Sequence, residues 1–360
     1  MRLVAKPLLA LALLVALAGC GDFFVDDTPT NQAKFAFVAN NGSGNASAYT
    51  VGSNGALANA PGSPFGAATN PNAIDADGSG RWVYVANNAG GISGYTINRN
   101  DGSLGAVSGS PFTPGTGYLA IAVDPAGRFV YALTTAGSVE SYTLNNTSGV
   151  ITIVGTAVPV GGALANAMVE DPSGHFVFVA VGAAGVVPLK IQTDGTLVAG
   201  AVQPPAPCTG ANRVAISPNA RFAYITDGTS VCIFSVNNSN GALTAVTGGT
   251  GGSPVAAGTT PTGLAVDETG KFLYVTNAGS NNVTAFTVAS DGRLATIAGS
   301  PFAAGASPVD VNSDPSGQFL YVVNNGGGVQ MYTINTTSGV LTDRGTTSAG
   351  TSPVAIVTTP

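Results

Sequence analysis

The chain has 360 residues, of which 8% are charged and 44% hydrophobic, with a formal net charge of −6. A surface so poor in Lys and Arg has no basic patch for a phosphate backbone, which excludes nucleic-acid binding. Solubility rests instead on Asn, Thr, Ser and 50 Gly residues, a composition that fits an exported protein.

The first element, residues 1–19, reads as a targeting segment. Arg2 and Lys6 precede an apolar run from Leu8 to Ala18 that is too short to span a bilayer with any margin. The run ends Leu17-Ala18-Gly19-Cys20, a close match to the bacterial lipobox, so Cys20 is expected to be lipidated and to become the first mature residue. Gly21 at the next position resembles lipoproteins sent on to an outer membrane, and the segment through Ala33 reads as a polar tether, giving residues 20–33 as lipidated Cys and linker. The expected location is an exported, membrane-anchored protein, in the outer membrane or periplasm of a cell with two membranes.

From Lys34 onward a block of about 47 residues recurs seven times. Its marker is a polar or cationic residue, an aromatic, a small apolar residue and another aromatic. It appears as Lys34-Phe35-Ala36-Phe37, Arg81-Trp82-Val83-Tyr84, Arg128-Phe129-Val130-Tyr131, His175-Phe176-Val177-Phe178, Arg221-Phe222-Ala223-Tyr224, Lys271-Phe272-Leu273-Tyr274 and Gln318-Phe319-Leu320-Tyr321. Each block divides into four short β-branched and aromatic runs between Gly, Asn and Asp clusters, which are strand signals. In the sixth block the runs are Thr262 to Val266, Phe272 to Thr276, Val283 to Val288 and Arg293 to Ile297. The turn between third and fourth runs carries Gly55, Gly102, Gly149, Gly195, Gly241, Gly292 or Gly339, with Leu or Ile two residues later. Gly supplies the positive φ of a tight hairpin.

Four-stranded blocks repeated seven times predict an all-β, seven-bladed β-propeller over residues 34–360. The chain enters at a second strand and ends with Pro353-Val354-Ala355-Ile356-Val357, which matches the first strand of other blocks. The ring is therefore expected to close by N- and C-terminal strands sharing one blade.

The exits Tyr84-Val85-Ala86-Asn87, Tyr274-Val275-Thr276-Asn277 and Tyr321-Val322-Val323-Asn324 resemble the Tyr-Val-Thr-Asn repeats of surface-layer propellers. The turns Asp124-Pro125-Ala126-Gly127, Asp171-Pro172-Ser173-Gly174 and Asp314-Pro315-Ser316-Gly317 are similar to those of the lactonase β-propeller family, 6-phosphogluconolactonase-like enzymes included. That resemblance implies catalysis by His, Glu and Arg in a central channel. The single His, His175, instead opens a second strand, where other blocks carry Arg, Lys or Gln.

Aligning the first strands shows polar residues near the axis. Arg213 and Asp310 interrupt a column otherwise made of Ala and Gly, and Glu170 lies further along its own strand; these three are the weak catalytic candidates. The preceding column offers Asn72, Asn166 and Asn212, and a ring at the second-strand ends offers Asn40, Asn87, Asp227, Asn277 and Asn324 as ligand-binding candidates at the channel mouth. The alternative for that ring is bonding to local backbone in Asn-Gly-type turns. Asp75-Ala76-Asp77-Gly78-Ser79-Gly80 superficially resembles a calcium loop but lacks the later bidentate Glu. No metal site and no cofactor are expected. Cys208 and Cys232 are expected to pair in an oxidising compartment, the lead-in Cys208 to Ala211 giving the slack to bring the sulfurs together.

The expected function is a binding or interaction module at the cell envelope, with a protein or carbohydrate ligand at the mouth and a membrane contact through Cys20. The alternatives are a lactonase-family hydrolase with a variant channel site and a structural surface-layer component.

Overall fold

The computed structural model describes residues 34–113, 115–161, 165–204 and 206–360. Cys20, the targeting segment and the tether lie outside these residues. Among the described residues all regular elements are strands, arranged as seven antiparallel sheets that form the blades of a propeller. In the sixth blade the strands run Pro261–Val266, Phe272–Asn277, Asn282–Val288 and Leu294–Thr296, close to the expected bounds. Blade 1 is built from both ends of the chain: Phe35–Asn40 pairs with Asn45–Val51 on one side and with Pro353–Thr359 on the other.

The period of the second strand explains how the ring holds together. Successive side chains on a strand point to opposite faces, so each second strand serves two seams. Phe35 and Phe37 pack towards blade 2 while Ala36 and Val38 pack towards blade 7. Repeated around the ring, this gives seven buried apolar clusters, each straddling two neighbouring blades. The core is thus a set of seams around the axis.

The hairpin glycines are seats in these seams. Gly149 has φ 73°, and a Cβ there would lie 2.4 Å from the Trp82 ring of the preceding blade. Any side chain would displace the aromatic, which explains Gly at this place in both conformational and steric terms. The Tyr that follows the aromatic completes a latch. The hydroxyl of Tyr84 donates to the Gly149 carbonyl at 2.6 Å, that of Tyr224 to Gly292 at 3.3 Å, and those of Tyr274 and Tyr321 to Gly339 and Gly55 at 3.0 Å.

The Asp of each Asp-x-x-Gly turn is buried and accepts backbone N–H groups of the second strand. Asp267 takes Lys271 and Phe272 at 2.8 and 2.7 Å, and Asp314 takes Gln318 and Phe319 at 2.9 Å. Asp77, in the segment that resembled a calcium loop, binds the Arg81 and Trp82 amides in the same way at 2.7 Å.

Candidate functional site

The innermost strands line a central channel, and local backbone irregularity aims their first residues into it. In blades 1, 2, 3, 6 and 7 the pairing with the second strand shifts register at the strand entry, for instance between Pro71 and Ala73 and between Pro308 and Asp310. Such a bulge leaves one residue unpaired and turns it out of the ladder; Asn72 and Thr262 occupy these places. Within the channel is a cavity of about 210 Å³ whose lining includes Asn72, Asn166, Met168, Arg213 and Asp310. It shares Leu119, Asn166 and Arg213 with a mouth of about 490 Å³ that adds Asn212, Thr260 and Thr262.

Arg213 and Asp310 come from blades 5 and 7 and face one cavity. Gly263 of blade 6 lies between them, and a Cβ there would approach the Asp310 Cα to 2.9 Å, so this column tolerates no side chain beside the carboxylate. The Arg213 Nη1 donates to the Asn166 carbonyl at 3.4 Å, and the Asp310 Oδ2 accepts the Ile356 N–H at 3.0 Å. Burial pushes the Asp310 carboxyl up to about 6, against the opposing pull of the Ile356 N–H and the Arg213 charge. The ion pairs among the described residues, Arg128–Asp124 and Arg293–Asp291, lie elsewhere. Arg213 and Asp310 therefore share a cavity without neutralising each other at contact distance.

Glu170 does not line that cavity. It ends the inner strand Ala167–Glu170, three residues beyond the channel-facing column and so on the other face of the sheet. It is 9% exposed, and neither carboxyl oxygen meets a hydrogen-bond donor. Burial, followed by the charge of nearby Asp124, pushes its carboxyl up to about 9.

The Asn ring is turned into the blades. Asn40 donates to Asn45 Oδ1 and Ser47 Oγ at 2.8 and 2.9 Å, and Asn87 donates to the Val85 and Gly91 carbonyls and to Ser93. Asn277 bonds Asn282 and Thr284, Asp227 accepts the Thr229 and Ser230 amides at 2.9 and 2.8 Å, and Asn324 reaches the Val322 carbonyl at 3.5 Å. All five are buried, and these bonds hold the strand exits and the loops beside them. Asn72, Asn166 and Asn212 remain as the amides at the channel and mouth. His175 is exposed in its turn beside Ser173, at 2.8 Å from Nδ1. No group of three His, Cys, Asp or Glu able to hold a metal occurs among the described residues.

A disulfide joins Cys208 to Cys232, with Cα atoms 5.9 Å apart. Thr209 beside it donates to Asp227 through its amide at 3.3 Å. The connection into blade 5 is thus pinned immediately before Asn212 and Arg213. The sequence marks Asp75 as a polar group on an innermost strand but not its bond: the carboxylate accepts the Val123 amide of the next blade at 2.8 Å. Sequence reasoning missed Tyr118, whose hydroxyl meets Glu140 at 2.6 Å, Thr113 at 2.7 Å and Tyr142 at 2.9 Å.

The sequence profile of the family described as "Lactonase, 7-bladed beta-propeller" matches residues 83–203 and again 167–358. The chain belongs to this family. The match overturns the expectation of a binding module and favours the hydrolase alternative. A curated 6-phosphogluconolactonase of Formosa agariphila is 39% identical over 75 residues, a stretch that spans only 20% of either chain. Similar solved structures include a candidate 6-phosphogluconolactonase of Bacteroides uniformis, with TM-score 0.75 and 19% identity over 91% of this chain and 99% of that one. The periplasmic gluconolactonase of Pseudomonas aeruginosa has TM-score 0.69 and 19% identity, with the same coverage. At these identities the structural likeness concerns the fold.

Proposed function

We propose that the protein hydrolyses a sugar-acid lactone in its central channel. The reading is carried by one observation: in a lactonase-family chain, a guanidinium and a carboxylate that do not pair at contact distance face the same cavity. Asp310, raised to about 6, is ionised at neutral pH yet basic enough to take a proton from water. The water oxygen bonds to the lactone carbonyl carbon as its proton passes to Asp310. Arg213 stabilises the oxyanion that develops. Collapse of the tetrahedral intermediate breaks the ring C–O bond, and the proton on Asp310 passes to the leaving alkoxide, which gives the open hydroxy acid. Asn72, Asn166 and Asn212 are the groups for the sugar hydroxyls. If the Cys20 anchor is present, the reaction belongs at the cell envelope.

The test is proton release from glucono-δ-lactone, corrected for spontaneous opening. Asp310→Asn should lower kcat by about 10²–10⁴-fold and remove a limb near pH 6 from the rate profile. A wild-type protein that does not exceed the spontaneous rate refutes the reading.

A further inference from the structure

We infer that the lactone taken by this channel carries no phosphate group. The inference rests on the lactonase reading and narrows it. Among the described residues, Arg213 is the one cation and Asp310 the one carboxylate on the linings of the cavity and mouth. The remaining polar side chains there are amides and hydroxyls: Asn72, Asn166, Asn212, Thr260 and Thr262. Of these, the Thr262 hydroxyl is already committed to the Pro308 carbonyl at 2.7 Å.

A phosphate ester near neutral pH carries close to two negative charges and is held by clustered Arg or Lys donors. A 6-phosphorylated lactone presents that dianion on C6, across the ring oxygen from the reacting carbonyl. The planar fork of Arg213 serves one of the two groups. If it stabilises the oxyanion, the phosphate is left without a cation; if it holds the phosphate, the oxyanion is left without one.

Among the described residues, no second cation lines the cavity or its mouth to fill the gap. Arg81, Arg128, Arg221 and Lys271 open second strands, whereas second strands adjoin the channel mouth at their ends, as the pairing of Pro261 with Asn277 shows. Arg128 is moreover tied to Asp124 at 2.7 Å. A dianion drawn into this lining would face Asp310 and leave part of its charge uncompensated, a costly state away from water. An uncharged polyhydroxy lactone matches the amide and hydroxyl lining and leaves Arg213 free for the carbonyl.

The full-length protein is assayed in parallel on glucono-δ-lactone and 6-phosphoglucono-δ-lactone. The expected kcat/KM is at least tenfold higher for the unphosphorylated lactone. Asn212→Arg adds a second cation at the open mouth and should narrow that ratio by raising the rate on the phosphorylated substrate. Wild-type preference for the phosphorylated lactone overturns the inference while lactone hydrolysis stands. Turnover of neither substrate overturns both. A ratio unmoved by Asn212→Arg removes the electrostatic basis of the argument.

Discussion

Glu170→Gln should make this protein more stable at neutral and alkaline pH. Glu170 is buried at the seam of blades 3 and 4, with both oxygens lacking a donor. The groups acting on it are the carboxylates of Asp124, Asp75 and Asp171, with Arg128 and Tyr131 nearby on the adjoining blade. Asp124 is itself held by Arg128 through bonds of 2.7 and 3.0 Å. The unfolded side chain ionises near the ordinary 4.5, whereas the folded one keeps its proton to about 9. Between those limits unfolding releases a proton, so stability is fully present below pH 4.5 and falls as pH rises towards 9. The slope is about 1.4 kcal/mol per pH unit, which gives a loss on the order of 3 kcal/mol by pH 7. Gln keeps the shape and does not ionise. Urea unfolding of both proteins at pH 5 and pH 8 should give similar midpoints at the lower pH and a higher midpoint for the variant at the upper one. Parallel stability curves for the two proteins would refute the buried neutral carboxyl.

Deletion of Ser352 to Pro360 removes the inner strand of blade 1 and bares the ladder of Phe35–Asn40. Loss of buried Ile356 and Val357 alone costs about 2 kcal/mol each, so an unchanged melting temperature would contradict the shared blade. Breaking the Cys208–Cys232 bond by Cys232→Ser should cost about 3 kcal/mol for its short loop, read as a lower denaturant midpoint. Identical midpoints for variant and wild type would show that the bond contributes nothing to stability.

The ring was legible because its grammar is local. The aromatic pair, the hairpin Gly and the Asp turn each announce a strand or a turn within a few residues, and seven copies leave one architecture. The closing of blade 1 followed from counting strands. The site was legible only in part. Arg213 and Asp310 stood out because a charge interrupted a column of small residues, and the structure brings them to one cavity. Glu170 stood out only as a further polar group on its innermost strand, and its odd offset from that column sends it to the other face of the strand. That parity is a property of the sequence alone. The Asn ring could have served a ligand or the backbone, and composition does not distinguish them; the direction of each amide depends on loops such as Gly258, whose N–H binds Asn277 at 3.0 Å. The clamp from Asp75 to Val123 joins residues 48 apart on neighbouring blades, and no local pattern signals it.

The hydroxyl latches are not distributed evenly, and that gives the ring a weak sector. The seams from blade 2 to 3, 5 to 6, 6 to 7 and 7 to 1 carry one each. At the other three, Phe37 and Phe178 have no hydroxyl, and that of Tyr131 is buried without a partner. The seam of blades 1 and 2 is bridged instead by the Tyr95 hydroxyl, which donates to the Gly66 carbonyl. Blade 4 is therefore flanked on both sides by unlatched seams, and one of them also houses Glu170. Local opening begins where the fewest bonds must break, so amide exchange and proteolytic nicking should start in blade 4 and spread outward. The disulfide pins the chain where it leaves that blade, which confines the breathing to one side of Arg213. Blade 4 supplies Asn166 to the channel, so opening of that blade would loosen this part of the cavity wall.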